Sequence, residues 1–270
     1  MLLSEPAPAK LNLALHVRGR LPDGRHRIET LFAFCVDGDM LYAAENEFIT
    51  LDVGGPMAAG LDEPHDNLVM RAALALHKRR QPMRDGGARL TLDKRLPIAS
   101  GIGGGSADAA ATLRLLTRMW SLDPAHATEI APTLGADVPA CLLSMTARGE
   151  GAGDALALVD DPAIAGTPVL LVNPGVALST AAVFAAWDGV DRGPLGHWGE
   201  GRNDLEAPAR ALVPAIGDVL DWLGRQRGVT LMRMSGSGAT CFALFKDEHA
   251  RDAAAAACPP TWWHLASFLR

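Results

Sequence analysis

The chain has only four cysteines in 270 residues, Cys35, Cys141, Cys241 and Cys258, and no two of them form a C-x-x-C pair. That spacing encodes neither a disulfide framework nor a zinc knuckle, and it fits a reducing, cytoplasmic setting. The eight histidines make no H-E-x-x-H or similar ligand spacing, so no structural metal is expected. Long apolar runs are also missing: no uninterrupted stretch reaches the roughly 18 residues of a membrane span. The opening MLLSEPAPAK has neither a basic leader nor an apolar core, so the expectation is a soluble, unexported protein. Positive charge is scarce. The net charge is -6, and the one short basic run, HKRR at 77–80, reads as the solvated end of a helix. A nucleic acid partner, which needs an electropositive face, is therefore not expected.

What is present begins with glycine. In PIASGIGGGSAD, residues 97–108, four glycines occupy five positions from Gly101 to Gly105, interrupted by Ile102. Such a run is either a flexible connector or a place where backbone must approach something closely. After it, Ala109, Leu113, Leu116 and Trp120 recur at helical spacing among strong helix formers, so the loop opens a helix. A helix start leaves N–H groups unpaired and carries partial positive charge, which makes a glycine-lined entry an anion seat, typically for phosphate. A Walker-type loop is excluded because no lysine lies between Gly101 and Arg114. A dinucleotide fingerprint fits poorly, since Ser106 stands where the third glycine belongs.

The composition, 49% hydrophobic and 21% charged, is that of a globular chain with room for two lobes or one large domain. Leu11, Leu13 and Leu15 alternate as in a half-buried strand at 9–17, and further strands are expected at 27–36, 39–44, 47–53 and 89–96. A helix runs from Asn67, capped by Asp66, and another covers 126–134. In LGADVPACLL, Gly135 ends one helix and Pro139 suits the first turn of the next, which puts Asp137 at a helix start. From Thr167 the order is strand, helix at 180–187, a capping-box helix opened by Asn203 and Glu206, two strands flanking Ser235 to Ala239, helix at 248–257, and strand at 262–269. This approximates the split β-α-β-β-α-β arrangement. The glycine-rich GEGAGDA at 149–155 reads as a lobe boundary, dividing the chain into 1–155 and 156–270.

Three segments together resemble a known family. P-x-x-x-G-I-G-G-G-S-A-D-A-A at 97–110 is similar to the phosphate loop of the small-molecule kinases named for galactokinase, homoserine kinase, mevalonate kinase and phosphomevalonate kinase, with Ile102 for the usual leucine. PAKLNLALHVRGRLPDGRH at 8–26 and LGADVPACL at 134–142 resemble the signatures of those members whose alcohol substrate carries a cytidine diphosphate group, in the non-mevalonate isoprenoid route. RNDLE at 202–206 and RMSGSGATCFALF at 233–245 extend the likeness over nearly the whole chain.

The resemblance implies an α+β fold of two lobes, the first of ribosomal-protein type with a left-handed β-α-β crossover, the second ferredoxin-like, with the active site in the cleft between them. It implies ATP and Mg²⁺ as cofactors, and Asp137 as proton acceptor with Lys10 as its cationic partner. Pro97, Gly101, Gly103, Gly104, Gly105 and Ser106 would hold the nucleotide phosphates. Asn12, Arg25, His26 and Phe184 would bind the cytidyl substrate, and SGSGA at 235–239 would lie near the phosphates or the glycine loop. Arg25 is a departure, because the family commonly has a tyrosine there that stacks on cytosine; a planar guanidinium can stack on a base instead. Read by themselves, Asp137 is a helix cap, Lys10 a snorkelling strand residue, Phe184 the core face of a helix and Asn12 a local backbone partner. Rival functions are a kinase of homoserine or a mevalonate-type alcohol, an RNA-binding module and a dinucleotide oxidoreductase.

Overall fold

The computed structural model describes residues 2–61, 67–80 and 86–270. The chain forms two compact units, each assembled from separate segments. The first comprises Met1–Ala9, Asp37–Ile98 and Gly103–Ser144, and the second Lys10–Val36, Ala99–Ile102 and Met145–Arg270. Two long strands, β1 (Leu3–Arg20) and β2 (His26–Asn46), pair with each other, and each runs from one unit into the other. β2 replaces the two shorter strands expected at 27–36 and 39–44, because the backbone stays extended through Asp37 and Gly38.

In the first unit, Met40–Asn46 of β2 pairs antiparallel with β4 (Gly87–Asp93), and β4 pairs parallel with β3 (Thr50–Gly54). The parallel pair needs a crossover, which α1 (Leu68–His77) supplies. The expected cap Asp66 lies outside the described residues; the Asn67 side chain caps α1, accepting from the Val69 N–H. α2 (Gly104–Met119) packs on α1, on α3 (Pro124–Leu134) and on α4 (Val138–Leu143). Ala109, Leu113 and Leu116 are buried as their spacing requires, but so are Ala107, Ala110, Ala111 and Leu115. α2 is enclosed on most sides, which explains its run of alanines: neighbouring helices approach it closely.

In the second unit, Thr30–Phe32 of β2 pairs with β5 (Ala147–Glu150), which forms a hairpin with β6 (Ala155–Leu158). The stretch 149–155, read above as a boundary, makes the end of β5 and the hairpin turn. A separate antiparallel sheet has the order β10 (Trp263–Phe268), β7 (Pro168–Asn173), β9 (Cys241–Phe245), β8 (Val229–Met234). With α5 (Thr180–Ala185), α6 (Glu206–Leu212) and α7 (Ala215–Gly224) between β7 and β8, and α8 (Glu248–Ala256) between β9 and β10, this is the split β-α-β-β-α-β arrangement expected from the element order. Leu170, Val172, Val219, Leu223, Ala243 and Phe245 are among its core residues. The fold class is α+β.

Asn203 does not open α6 with a capping side chain. α6 begins after Leu205 without a side-chain cap, while the Asn203 amide donates to Met234 O at 2.7 Å and to Gly236 O at 2.8 Å. Its carbonyl oxygen accepts from Leu205 N, so Asn203 clamps the turn after β8 to the chain entering α6.

Candidate active site

The glycine loop is shaped from both sides. In the second unit, Gly101 sits at φ 78. A Cβ there would lie 2.5 Å from Ser235 O and 2.7 Å from Gly238 O, so the SGSGA turn packs directly on it. Ser235 Oγ donates to Gly101 O at 3.0 Å, and Thr240 N donates to Ser100 O at 3.1 Å. Glycine at 101 is thus demanded both by backbone conformation and by a second loop's main chain. The expected placement of 235–239 beside the glycine loop is what the structure has.

Lys10 belongs to the same cluster. Its N–H donates to Ile102 O at 2.9 Å, and its side chain is buried, with Nζ donating to Asn12 Oδ1 at 2.9 Å and standing 5.4 Å from the centre of the Phe32 ring. Asn12 Nδ2 donates to Thr30 Oγ1 at 2.8 Å, and the Asn12 N–H donates to Ser235 Oγ at 3.2 Å. Asn12, expected to touch substrate, therefore orients the Lys10 ammonium and links the strand to the SGSGA turn. A lysine that merely snorkelled would not be buried with its ammonium aimed by an amide.

In the first unit the loop becomes helix. Gly103 is the N-cap of α2, in left-handed conformation, and no side chain caps the N–H groups that follow. The first of the described i to i−4 bonds runs from Ala107 N to Gly103 O, so the N–H groups of Gly104, Gly105 and Ser106 precede the helical ladder. Gly105 is exposed, Ser106 and Pro97 are half-buried. Such a start carries partial positive charge facing outward.

Sequence reasoning missed what lies beneath that turn. Lys94 is buried with Asp39 and Asp108, its Nζ donating to Asp39 Oδ2 and, at 2.7 Å, to Asp108 Oδ2. Asp39 Oδ1 also accepts from the N–H groups of Arg95 and Leu96, at 2.6 Å and 2.8 Å. A Cβ on Gly104 would stand 3.1 Å from Lys94 Nζ, so the ammonium lies directly under the helix start. Burial opposes the charge on Lys94, yet the two carboxylates hold its pKa above the ordinary lysine value. Burial lifts the Asp108 carboxyl to about 7 despite Lys94, and its Oδ1 has no hydrogen-bond partner. Asp108 is thus a buried strut beneath the helix start. The one legible signal was a lysine at a strand exit near an aspartate on a helix.

Asp137 precedes α4, partly exposed, and its carboxylate makes no capping hydrogen bond to that helix. The commonplace account of an aspartate at a helix start does not hold here.

The remaining predicted residues gather at the start of β2. The His26 ring stacks on Phe184, with centroids 4.6 Å apart at 26°, and stands nearly perpendicular to the Trp187 ring, at 5.7 Å and 84°. Burial, and then the nearby Arg20 charge, lower the His26 pKa and favour the neutral ring. The exposed Arg25 guanidinium is held by Asp23 at 2.8 Å and Asp154 at 3.4 Å. Among the described residues no group of three or more His, Cys, Asp or Glu side chains is placed to hold a metal ion, and no helix is long and apolar enough to cross a membrane.

Known proteins resemble this chain over nearly its whole length. The family described as GHMP kinases N terminal domain matches residues 67–145, and that described as GHMP kinases C terminal matches 191–264. The chain is 53% identical over 285 residues to a protein of Rhizorhabdus wittichii named 4-diphosphocytidyl-2-C-methyl-D-erythritol kinase, covering 99% of this chain and 94% of that one. A protein of the same name from Novosphingobium aromaticivorans is 52% identical over 276 residues, covering 100% and 94%. The crystal structure of a 4-(cytidine 5'-diphospho)-2C-methyl-D-erythritol kinase superposes with a TM-score of 0.84 at 33% identity, covering 99% of each chain. A homoserine kinase from Cytophaga hutchinsonii, 16% identical, shares the fold at a TM-score of 0.72 over 99% of this chain and 95% of that one. With its glycine-started helix, its loop-tethered lysine and relatives matched over nearly all of its length, the chain belongs to the GHMP kinase family, in the branch of the 4-diphosphocytidyl-2-C-methyl-D-erythritol kinases.

Proposed function

We propose that this protein transfers the γ-phosphoryl group of ATP to a hydroxyl of 4-diphosphocytidyl-2-C-methyl-D-erythritol, a step of the non-mevalonate route to isoprenoid precursors. One observation carries the reading: the strand bearing the buried Lys10 ammonium is hydrogen-bonded to the glycine loop itself, from Lys10 N to Ile102 O. Phosphoryl transfer needs positive charge where negative charge spreads over the transferring group, a positioned alcohol, and an acceptor for its proton. Lys10, aimed by Asn12, supplies the charge. The Gly104, Gly105 and Ser106 N–H groups cradle phosphate oxygens, an electrostatic role that requires no movement during the reaction. Asp137 takes the proton of the alcohol.

Mg²⁺, bound together with the nucleotide, would supply neutralisation of the phosphate charge. The Ser106 hydroxyl, in the uncapped first turn of α2, is the side chain assigned to the phosphates or to that ion. At the other end of the substrate, His26 and Phe184 receive the cytosine. The fold brings these two rings together from residues 158 positions apart, which a core role for Phe184 alone would not require.

The test is release of ADP from Mg-ATP in the presence of the cytidyl alcohol. Asp137→Asn should lower turnover by about 10² to 10⁴, the usual contribution of a general base. Unchanged turnover refutes the assignment of that carboxylate. Protection against thermal unfolding by cytidine nucleotides, and none by mevalonate or homoserine, separates this substrate from those of the wider family.

A further inference from the structure

Resting on the cytidyl-substrate reading above, we propose that Trp187 is a specificity-determining residue of the base subsite, its indole N–H donating to a ring acceptor of the pyrimidine held at His26. Three side chains converge there: His26 stacked on Phe184, with the Trp187 ring nearly perpendicular to it. Two of the three carry a buried polar atom with no hydrogen-bond partner, His26 Nε2 and Trp187 Nε1. A buried indole N–H normally finds an acceptor, and an orphaned pair on touching rings marks a place where a polar edge belongs. Phe184 has no polar atom, so it grips a flat ring without fixing its rotation. Orientation falls to the two nitrogens.

Their chemistry selects the base. An indole N–H donates and never accepts, whereas either role is open to one nitrogen of a neutral imidazole. Cytosine presents two adjacent acceptors, N3 and O2, beside an amino donor. Uracil carries a donor N–H at position 3, which confronts a fixed donor unfavourably. Burial, aided by the Arg20 charge, keeps His26 neutral and so able to serve either way.

Position 25 adds the second argument. The resemblance expects a stacking tyrosine there, but this chain has Arg25, whose guanidinium is occupied by Asp23 and Asp154. Trp187 supplies aromatic surface and a polar handle on the same ring cluster.

Trp187 also packs against the hydrophobic core, so the test must separate binding from support. Trp187→Phe keeps a ring and removes the N–H. Steady-state kinetics should show the KM for the cytidyl substrate raised about tenfold, the loss of one buried hydrogen bond, with kcat and the KM for ATP within about twofold of wild type. Preference for the cytidyl over the matching uridyl substrate should fall with it. Trp187→His, which restores an N–H, should recover part of the loss. The proposal is overturned by an unchanged KM and base preference in Trp187→Phe, or by a KM for ATP that rises in step. A wild-type protein inactive on the cytidyl alcohol would overturn the kinase assignment itself, which separates the two failures.

Discussion

Asp108→Asn is the sharpest probe of the charge cluster under the glycine loop. The Asp108 carboxyl is buried and sits at about 7 in the folded protein, against roughly 4 for an aspartate in an unfolded chain. Its folded-state pKa is raised, so between those values the folded protein keeps a proton that the unfolded chain has released. The stability this group contributes is therefore complete below about pH 4 and is lost as pH rises through about 7. Over the two units from about pH 5 to about pH 7 the slope of roughly 1.4 kcal/mol per unit amounts to about 3 kcal/mol. The asparagine has nearly the same shape and can still accept from Lys94, but it does not titrate.

Urea denaturation followed by circular dichroism, on both proteins in matched buffers, should show the wild type losing about 3 kcal/mol relative to Asp108→Asn between about pH 5 and about pH 8. Taking the difference removes the other titrating groups, including His16 and His26, whose lowered values affect stability on the acid side. Lys94 stays charged throughout, because its two carboxylates hold it above the ordinary lysine value. A difference that is flat with pH, or that moves in favour of the wild type as pH rises, would mean that Lys94 keeps Asp108 ionised across the range, and the reasoning would be wrong.

Lys94→Met leaves the Asp39 and Asp108 carboxylates buried without their shared cation and should cost about 3 to 5 kcal/mol near pH 8, read from the same denaturation curves; a loss under about 1 kcal/mol would mean the carboxylates find other partners. Gly101→Ala puts a side chain at φ 78 with its Cβ 2.5 Å from Ser235 O, so the SGSGA turn must move. Stability should drop by about 2 kcal/mol or more, and wild-type stability in the variant would show that the two loops are not in forced contact.

The parts of the molecule legible in its sequence are those governed by local rules. The glycine run followed by helix formers announced α2, and the order of strands and helices after Thr167 announced the second sheet, whose pairing follows from that order. The hairpin at 147–158 escaped notice because glycines and a short strand look like a linker until β2 is there to pair with. Asn203 matched a capping box, yet carbonyls at Met234 and Gly236, about thirty residues away, compete better for its amide. Lys94 and Asp39 are 55 positions apart, and no periodicity reports such a pair. In the site, motif residues stood out as chemistry, while the supporting groups, Thr30 and Asp39, gain meaning only from three-dimensional neighbours.

The hydrogen bond from Ser235 to Gly101 spans 134 residues of chain. A ribosome must therefore have released most of the polypeptide before the loop can take its final form. Nascent or truncated products ending short of Ser235 lack the main chain that packs on Gly101, so the glycine turn has no partner to set its shape on an incomplete molecule. The glycine turn is then completed late in synthesis, together with the closing of long-range contacts that folding reaches most slowly.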